Sequence, residues 1–255
     1  HRSSWTDPKA IFLGVKAGSP SANHGQMDTG SFVLDADGVR WAMDLGAEGY
    51  HGIESRGMNL WDRSQDSDRW TIFRQSNHGH NTLVIDEQLQ IASGSGKLIQ
   101  FSADTEFPHS VMDLSLLYSG QSETAMRGVA LLPSAEVLIQ DELSGLKPGS
   151  RVRWGMITAA VADTIEGTAV KLRVNQAELR LSLLAPTSAA WRLIDTAKPR
   201  QPWDSPNQDT RMVALEAVAP QSGQLTIAVL ATPGSCADTL SPSLPLRPLA
   251  EWGEP

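Results

Sequence analysis

The 255-residue sequence is poor in the residues that would make several common readings easy. Cys236 is its single cysteine, so a disulfide framework and a cysteine-based metal site are both excluded. There are only two tyrosines, Tyr50 and Tyr118, which leaves few phenols for acid–base work. Basic residues are outnumbered 21 to 29 by acidic ones, giving a net charge of -8, and no Arg/Lys block or stripe occurs. Nucleic acid is therefore not an expected partner. A polyanion would have to be met by a local group of Arg and His acting against the overall field. No apolar run reaches the length of a membrane span. The first ten residues, HRSSWTDPKA, contain no apolar stretch of the kind a signal peptide needs.

What is present is a globular composition, 40% apolar and 20% charged, on a chain long enough for a sizeable core. Short segments rich in Val, Ile, Leu, Thr and aromatics follow one another. They include IFLGVK from Ile11, SFVLDADG from Ser31, VRWAMDLG from Val39, NTLVID from Asn81, KLIQFSAD, HSVMDLSL, MRGVALLP, EVLIQDEL and RVRWGMITA. TAVKLRV, AELRLSLLAP, TRMVALEAV and LTIAVLATP come later. Turn residues such as DADG, KPGS, IEGT and PQSG separate them. Lys171 to Val174 alternates polar and apolar at period two, as a half-buried strand does. No twelve-residue window carries a helical stripe. These features predict an all-β, antiparallel two-sheet β-sandwich with little or no helix. They place one domain over residues 1–240 and a Pro-rich tail over 241–255.

Two stretches break the rhythm. Gly46 to Asn77 is a long polar segment carrying Tyr50, Trp61 and Trp70, and such loops are usually functional or packed on their own side chains. Lys198 to Gln208, KPRQPWDSPNQ, reads as a Pro-rich surface loop.

The chemistry-bearing side chains gather in the first third. His24, Gln26 and Asp28 alternate, so an extended backbone aims all three at one face. Asp44 ends an apolar strand, where a carboxylate is costly without a partner. His78 and His80 precede the strand TLVID. Such a mixture of nitrogen and oxygen donors suits a divalent metal, zinc above all. It equally suits a hydrogen-bonded set of loop residues, because the spacing matches no compact zinc motif.

The stretch HGQMDTGSFVLDADGVRWAMDLG, followed by QDSDRWTIFRQSNHGHNTLVIDEQ, resembles the heparinase II/III-like family. That family shows a His-x-His or His-Gly-His run leading to Asp-x-Gly-Ser-Phe, a strand ending in Asp-x-Gly, a loop Tyr and then His-Asn-Thr. These fall here on His24, Gln26, Asp28, Gly30, Ser31 and Phe32, on Asp44 and Gly46, on Tyr50, and on His80, Asn81 and Thr82. The resemblance is strongest over residues 2 to 90, and several motifs in the right order give it its specificity.

The resemblance implies the C-terminal β-sandwich of a polysaccharide lyase. A preceding α/α toroid in the same polypeptide would complete the cleft, and no helix pairs of that kind occur in this chain. The implied reaction is β-elimination on a uronic-acid polysaccharide, heparin/heparan sulfate-like or alginate-like, in the periplasm or outside the cell. It implies a catalytic or substrate-contacting role for His24 and zinc ligands at Gln26, Asp44 and His80. Gln26 stands where metal-binding members carry His, and a Gln amide is a poorer zinc ligand, so His78 is a candidate third ligand. The family's catalytic Tyr belongs to the toroid, so this chain alone is expected to be inactive and Tyr50 to be a loop residue at the cleft. Arg74, Trp61, Glu54 and Tyr50 are the candidate substrate contacts.

Arg56, Arg69 and Arg74 lie beside Trp61 and Trp70. They could meet a uronate or sulfate, or form an Arg–Asp network with Asp62, Asp66 and Asp68 that pins the loop. Asn77 and Asn81 are expected to orient the backbone around His80, and Trp154, Trp191 and Trp203 to serve packing. A non-catalytic carbohydrate-binding or purely structural sandwich is the alternative. A lyase needs the His24, Asp44 and His80 groups at an open cleft, a binding module needs only exposed aromatics, and a buttress would bury the cluster.

Overall fold

The computed structural model of the chain describes residues 1–234 and 246–253. β1 (Phe12–Val15), β2 (Phe32–Ala36) and β3 (Val39–Ala42) form a three-stranded sheet. The remaining strands are β4 (Leu83–Ile85), β5 (Lys97–Ser102), β6 (His109–Asp113), β7 (Thr124–Leu131), β8 (Val137–Ser144) and β9 (Arg151–Thr158). They continue with β10 (Val161–Glu166), β11 (Ala169–Val174), β12 (Ala177–Ala185), β13 (Ala190–Asp195), β14 (Arg211–Val218) and β15 (Leu225–Pro233). An eight-stranded sheet runs β10-β11-β12-β15-β8-β7-β6-β5, and a four-stranded sheet runs β13-β14-β9-β4. Every pairing is antiparallel, and α1 (Tyr50–Glu54), one turn long, is the only α-helix among the described residues.

Alternation aims the inward side chains into one core. Val129, Ile139, Leu172, Leu181 and Val229 of the large sheet meet Leu83, Val152, Trp154, Val213 and Leu215 of the four-stranded one. Leu13, Phe32, Leu34 and Trp41 of the small sheet close the same core at one end. Trp154 and Trp191 pack edge to face within it, as expected of packing tryptophans. The segments read as strands from the sequence all form strands. β10 and β13 were not foreseen. Each is the outermost strand of its sheet and largely exposed, so neither carries the inward apolar set that a sequence pattern reveals.

The described part of the Pro-rich tail packs against the large sheet. Leu249 and Trp252 are 2% and 3% exposed, packed on the outer face of the large sheet with Val111, Ala130 and Leu138. Gly128 permits this approach: a Cβ there would lie 2.3 Å from Leu249 Cδ2. Cys236 and residues 241–245 lie outside the described residues.

One buried ion pair ties the core to the first third of the chain. Arg127 and Asp141 face each other across β7 and β8, both 0% exposed, and are joined by two hydrogen bonds of 2.7 and 2.9 Å. Arg127 Nη1 also donates to Gly30 O at 2.7 Å and Asn81 O at 2.8 Å. A buried guanidinium thus has its charge matched and its donors used, and it clamps the two motif segments together. Asn81 continues the clamp. Its amide donates to Phe32 O and Met43 O and accepts from Ile157 N, joining β2, β9 and the residue after β3 at one point.

Candidate functional site

The expected single face of His24, Gln26 and Asp28 does not form. The chain turns over Ser19 to Gly25, with Ala22 N donating to Ser19 O and Gly25 N to Ala22 O. His24 sits in the left-handed region at φ 55°, sparsely populated for a residue with a side chain. Gly25 is needed there because a Cβ would lie 2.3 Å from Pro20 O. The turn sends His24 outward and the following Met27 and Asp28 inward, so the motif divides between two clusters.

The outer cluster is aromatic. His24 Nδ1 and Tyr50 Oη are 3.0 Å apart, their rings nearly parallel at 6.2 Å. Trp61 stands edge-on to both, at 5.5 and 5.4 Å, and is 47% exposed. Trp61 Nε1 donates to Glu54 Oε1 at 2.8 Å. α1 explains the grouping: Tyr50 and Glu54, four residues apart, share one helical face, while Ile53 packs inward with Leu60 and Ile72. His24, Tyr50, Glu54 and Trp61, drawn from two distant segments, therefore form one accessible surface.

Arginines of the long loop hold the His24 turn, but not through the anticipated Arg–Asp network. Arg63, which the sequence did not single out, donates to Ser21 O at 2.9 Å and Asn23 Oδ1 at 3.2 Å. Arg69, 3% exposed, donates to Leu60 O at 2.8 Å and to Gly25 O. Asp62 accepts instead from Ser64, and Asp68 from Asn59 N. Among the described residues, Arg56 donates only to Gly52 O of α1.

The inner cluster is Asp28, Asp44 and His80, whose potential ligand atoms all lie within 4.8 Å of one another. Asp28 supplies the third charged donor, and Gln26, two residues earlier, is half-buried. His78 does not join. Residues 77–79 form a 3-10 turn instead of an extended strand, so His78 points away, with Nδ1 3.6 Å from Glu87. Burial, with Arg153 nearby, pushes its imidazole down to about 4 and leaves it neutral at physiological pH. Burial pushes the Asp44 carboxyl up, but hydrogen bonds from His80 and Gly46 N–H outweigh it and hold it below the usual range.

The donor set fits a divalent ion. Arg74 O only accepts, so His80 Nε2–H must donate to it, at 3.0 Å. The other ring nitrogen, Nδ1, faces Asp44 Oδ2, 2.9 Å away. Two such atoms so close need a proton or a cation between them. Asp28 Oδ1 is buried without a hydrogen-bond partner among the described residues, while Oδ2 takes Lys16 Nζ at 2.5 Å. An imidazole with two carboxylates is a mixed set that zinc accepts.

The 198–208 loop straps the site from behind. Asp204 accepts from Phe73 N at 3.0 Å, and Glu48 accepts from Ser205 N and Oγ. Arg74, a candidate substrate contact, also ties loops together. Its three nitrogens donate to Asn207 Oδ1, Ala47 O and Pro206 O, at 2.8 to 3.3 Å, so it serves as a staple between loops. Trp203 packs with Ile53, Leu60 and Ile72, again a packing tryptophan. A cleft of about 320 Å³ opens beside Asp44 and Arg74, lined also by Met43, Leu45 and Asn207. Among the missed residues, Asp28 was visible in its motif. Arg63, Glu48 and Asp204 carried no signal, because their partners lie far along the chain.

The fold and these two clusters define an antiparallel β-sandwich domain with a polar, aromatic-faced edge. A profile described as "Heparinase II/III-like, C-terminal" matches residues 3–231. The chain belongs to the heparinase II/III-like family, as a C-terminal domain. Among solved structures it is similar to the heparinase III BT4657 gene product, at 17% identity and TM-score 0.69, over 91% of this chain and 34% of that one. Heparan sulfate lyase HepC from Pedobacter heparinus gives 16% identity, TM-score 0.69 and the same coverage of both chains. A further structure titled heparinase III gives 15% identity at TM-score 0.69. The chain spans about a third of the length of these lyases, 34% in each. No curated protein sequence matches it. No helix among the described residues is long and apolar enough to cross a membrane.

Proposed function

We propose that this chain is the C-terminal domain of a polysaccharide lyase that cleaves a uronic-acid polysaccharide by β-elimination, in the periplasm or outside the cell. The observation that carries the reading is the accessible His24–Tyr50–Trp61–Glu54 surface. A buttress would bury such a group. Tyr50 engages Nδ1 of His24 and leaves Nε2 as the ring nitrogen for a substrate.

In β-elimination a base removes the C5 proton of the uronate, an acid protonates the departing glycosidic oxygen, and the carboxylate must be neutralised as enolate character develops. His24 is assigned a proton-transferring or carboxylate-contacting role at Nε2. Tyr50 orients its ring. Trp61 offers an exposed indole face to a sugar, and Glu54 holds that indole through Nε1. The remaining acid–base and carboxylate-binding groups are assigned to an N-terminal α/α toroid of the same polypeptide, so this chain alone is expected to be inactive.

Asp28, Asp44 and His80 would hold a divalent ion, zinc by preference. When bound, such an ion cross-links three segments of the domain and neutralises its two carboxylates. The test of the reading is formation of unsaturated uronate, followed by its ultraviolet absorbance, when the full-length polypeptide meets alginate or heparan sulfate. Binding without unsaturated product would favour the carbohydrate-binding alternative, for which the exposed Trp61 is sufficient.

A further inference from the structure

The arginines of this protein divide by what they face. Arg40, Arg127, Arg173 and Arg192 each lie on a carboxylate. Arg63 and Arg69 are among those that do not: among the described residues neither makes an ion pair. Their acceptors are the carbonyls of Ser21, Leu60 and Gly25 and the amide oxygen of Asn23. Neutral acceptors fix the direction of a guanidinium without cancelling its charge. The carboxylates close in sequence are directed elsewhere, Asp62 to Ser64 and Asp68 to Asn59.

Arg69 is the sharper anomaly. It is 3% exposed, and an unpaired buried cation is costly. Burial lowers its guanidinium from the usual value; Tyr50 opposes this, and the charge of Arg63 adds to the lowering. The two cations reinforce one another's field instead of being quenched. They grip Ser21, Asn23 and Gly25, the residues on either side of His24. In a chain of net charge -8 this is a local positive site at the edge of the aromatic surface.

We propose that Arg63, backed by the buried charge of Arg69, binds an oxyanion carried by a sugar ring, a uronate carboxylate or a sulfate ester, beside His24. Arg63 is exposed, and each of its two Nη atoms keeps a second N–H beyond the bond that anchors it, a fork suited to a planar carboxylate or a sulfate face. The assignment rests on the lyase reading for the identity of the polymer, but the site stands or falls separately.

In the full-length polypeptide, Arg63→Gln is expected to raise KM for the polysaccharide about tenfold, with kcat within about twofold. Arg63→Lys, which keeps the charge but loses the fork, should recover part of the loss. A fall in kcat at unchanged KM would make Arg63 a brace for the His24 turn and overturn the proposal, as would no change in either constant. Binding is measured independently by affinity electrophoresis in gels containing alginate, dextran sulfate or neutral dextran. Retardation by alginate alone identifies a carboxylate subsite, by dextran sulfate alone a sulfate subsite, and in both cases it is lost in Arg63→Gln. If the polypeptide makes no unsaturated product, the lyase reading fails while the gels still decide the site. Retardation equal in wild type and Arg63→Gln, equal retardation by neutral dextran, or none in any gel refutes it.

Discussion

His24 and Asp28 are four residues apart in one motif, yet they end in clusters of opposite character. His24 joins an exposed aromatic surface whose members are held by single hydrogen bonds and ring contacts. Asp28 joins a largely buried group of carboxylates and imidazole, held in turn by Lys16, Gly46 N–H and Arg74 O. The first arrangement suits approach by a ligand. The second suits holding three chain segments in register. The comparison teaches that motif membership does not set a role. The left-handed turn at His24 does, by ending the extended run that would have placed all the polar groups together.

The largest effect should come from the pair on which both clusters hang. Asp141→Ala leaves Arg127 buried and unpaired and loosens its grip on Gly30 and Asn81. Chemical denaturation should show a loss of roughly 3–5 kcal/mol. An unchanged midpoint would mean that the clamp is not what joins the two motif segments. Metal removal comes next. If the inner cluster holds zinc, chelation should lower the melting temperature by the equivalent of about 3 kcal/mol at hundredfold saturation, and the shift should vanish in His80→Ala. Elemental analysis without metal, together with a chelator-insensitive melting point, would recast the cluster as a hydrogen-bonded knot around an imidazolium.

The strap behind the outer cluster gives a pH signature. Burial raises the Glu48 carboxyl, but its bonds from Ser205 and Gly49, aided by Arg74, win and hold it below its ordinary value of 4.5. The unfolded chain therefore takes up this proton first as pH falls. The stabilisation is complete above about 4.5 and is lost as pH drops through the folded value. Glu48→Gln should lower stability at neutral pH and flatten the acid limb of the melting curve, and an acid limb identical to wild type would refute the role. The smallest effect is expected of Trp61→Ala, a loss of about 1 kcal/mol in polysaccharide affinity with no change in melting temperature. A fall in melting temperature instead would make the indole a structural element.

The β-sandwich was legible because inward strands such as β9 and β14 write their burial into the sequence. The edge strands β10 and β13 were not legible, since exposure on both faces erases the pattern. The motif residues His24, Asp44 and His80 could be picked out, as could Tyr50, Glu54 and Trp61 by their place in the long loop. Their partnership could not, because a single helical turn and a left-handed residue decide it. His78 was misjudged for the same local reason: a 3-10 turn replaced the extended geometry assumed for it. The partners of Arg74 were not legible, because the 204–207 loop that takes two of its nitrogens lies some 130 residues away.

The most direct test of the division between the clusters is to measure turnover and melting temperature on the same preparations of full-length His24→Ala and His80→Ala. The account predicts that His24→Ala lowers kcat by about 10²- to 10⁴-fold while its melting temperature stays at the wild-type value. His80→Ala should show the reverse emphasis, a clear loss of melting temperature with turnover surviving in proportion to the folded fraction. Normal turnover in His24→Ala, or the same loss of stability in both variants, would contradict it.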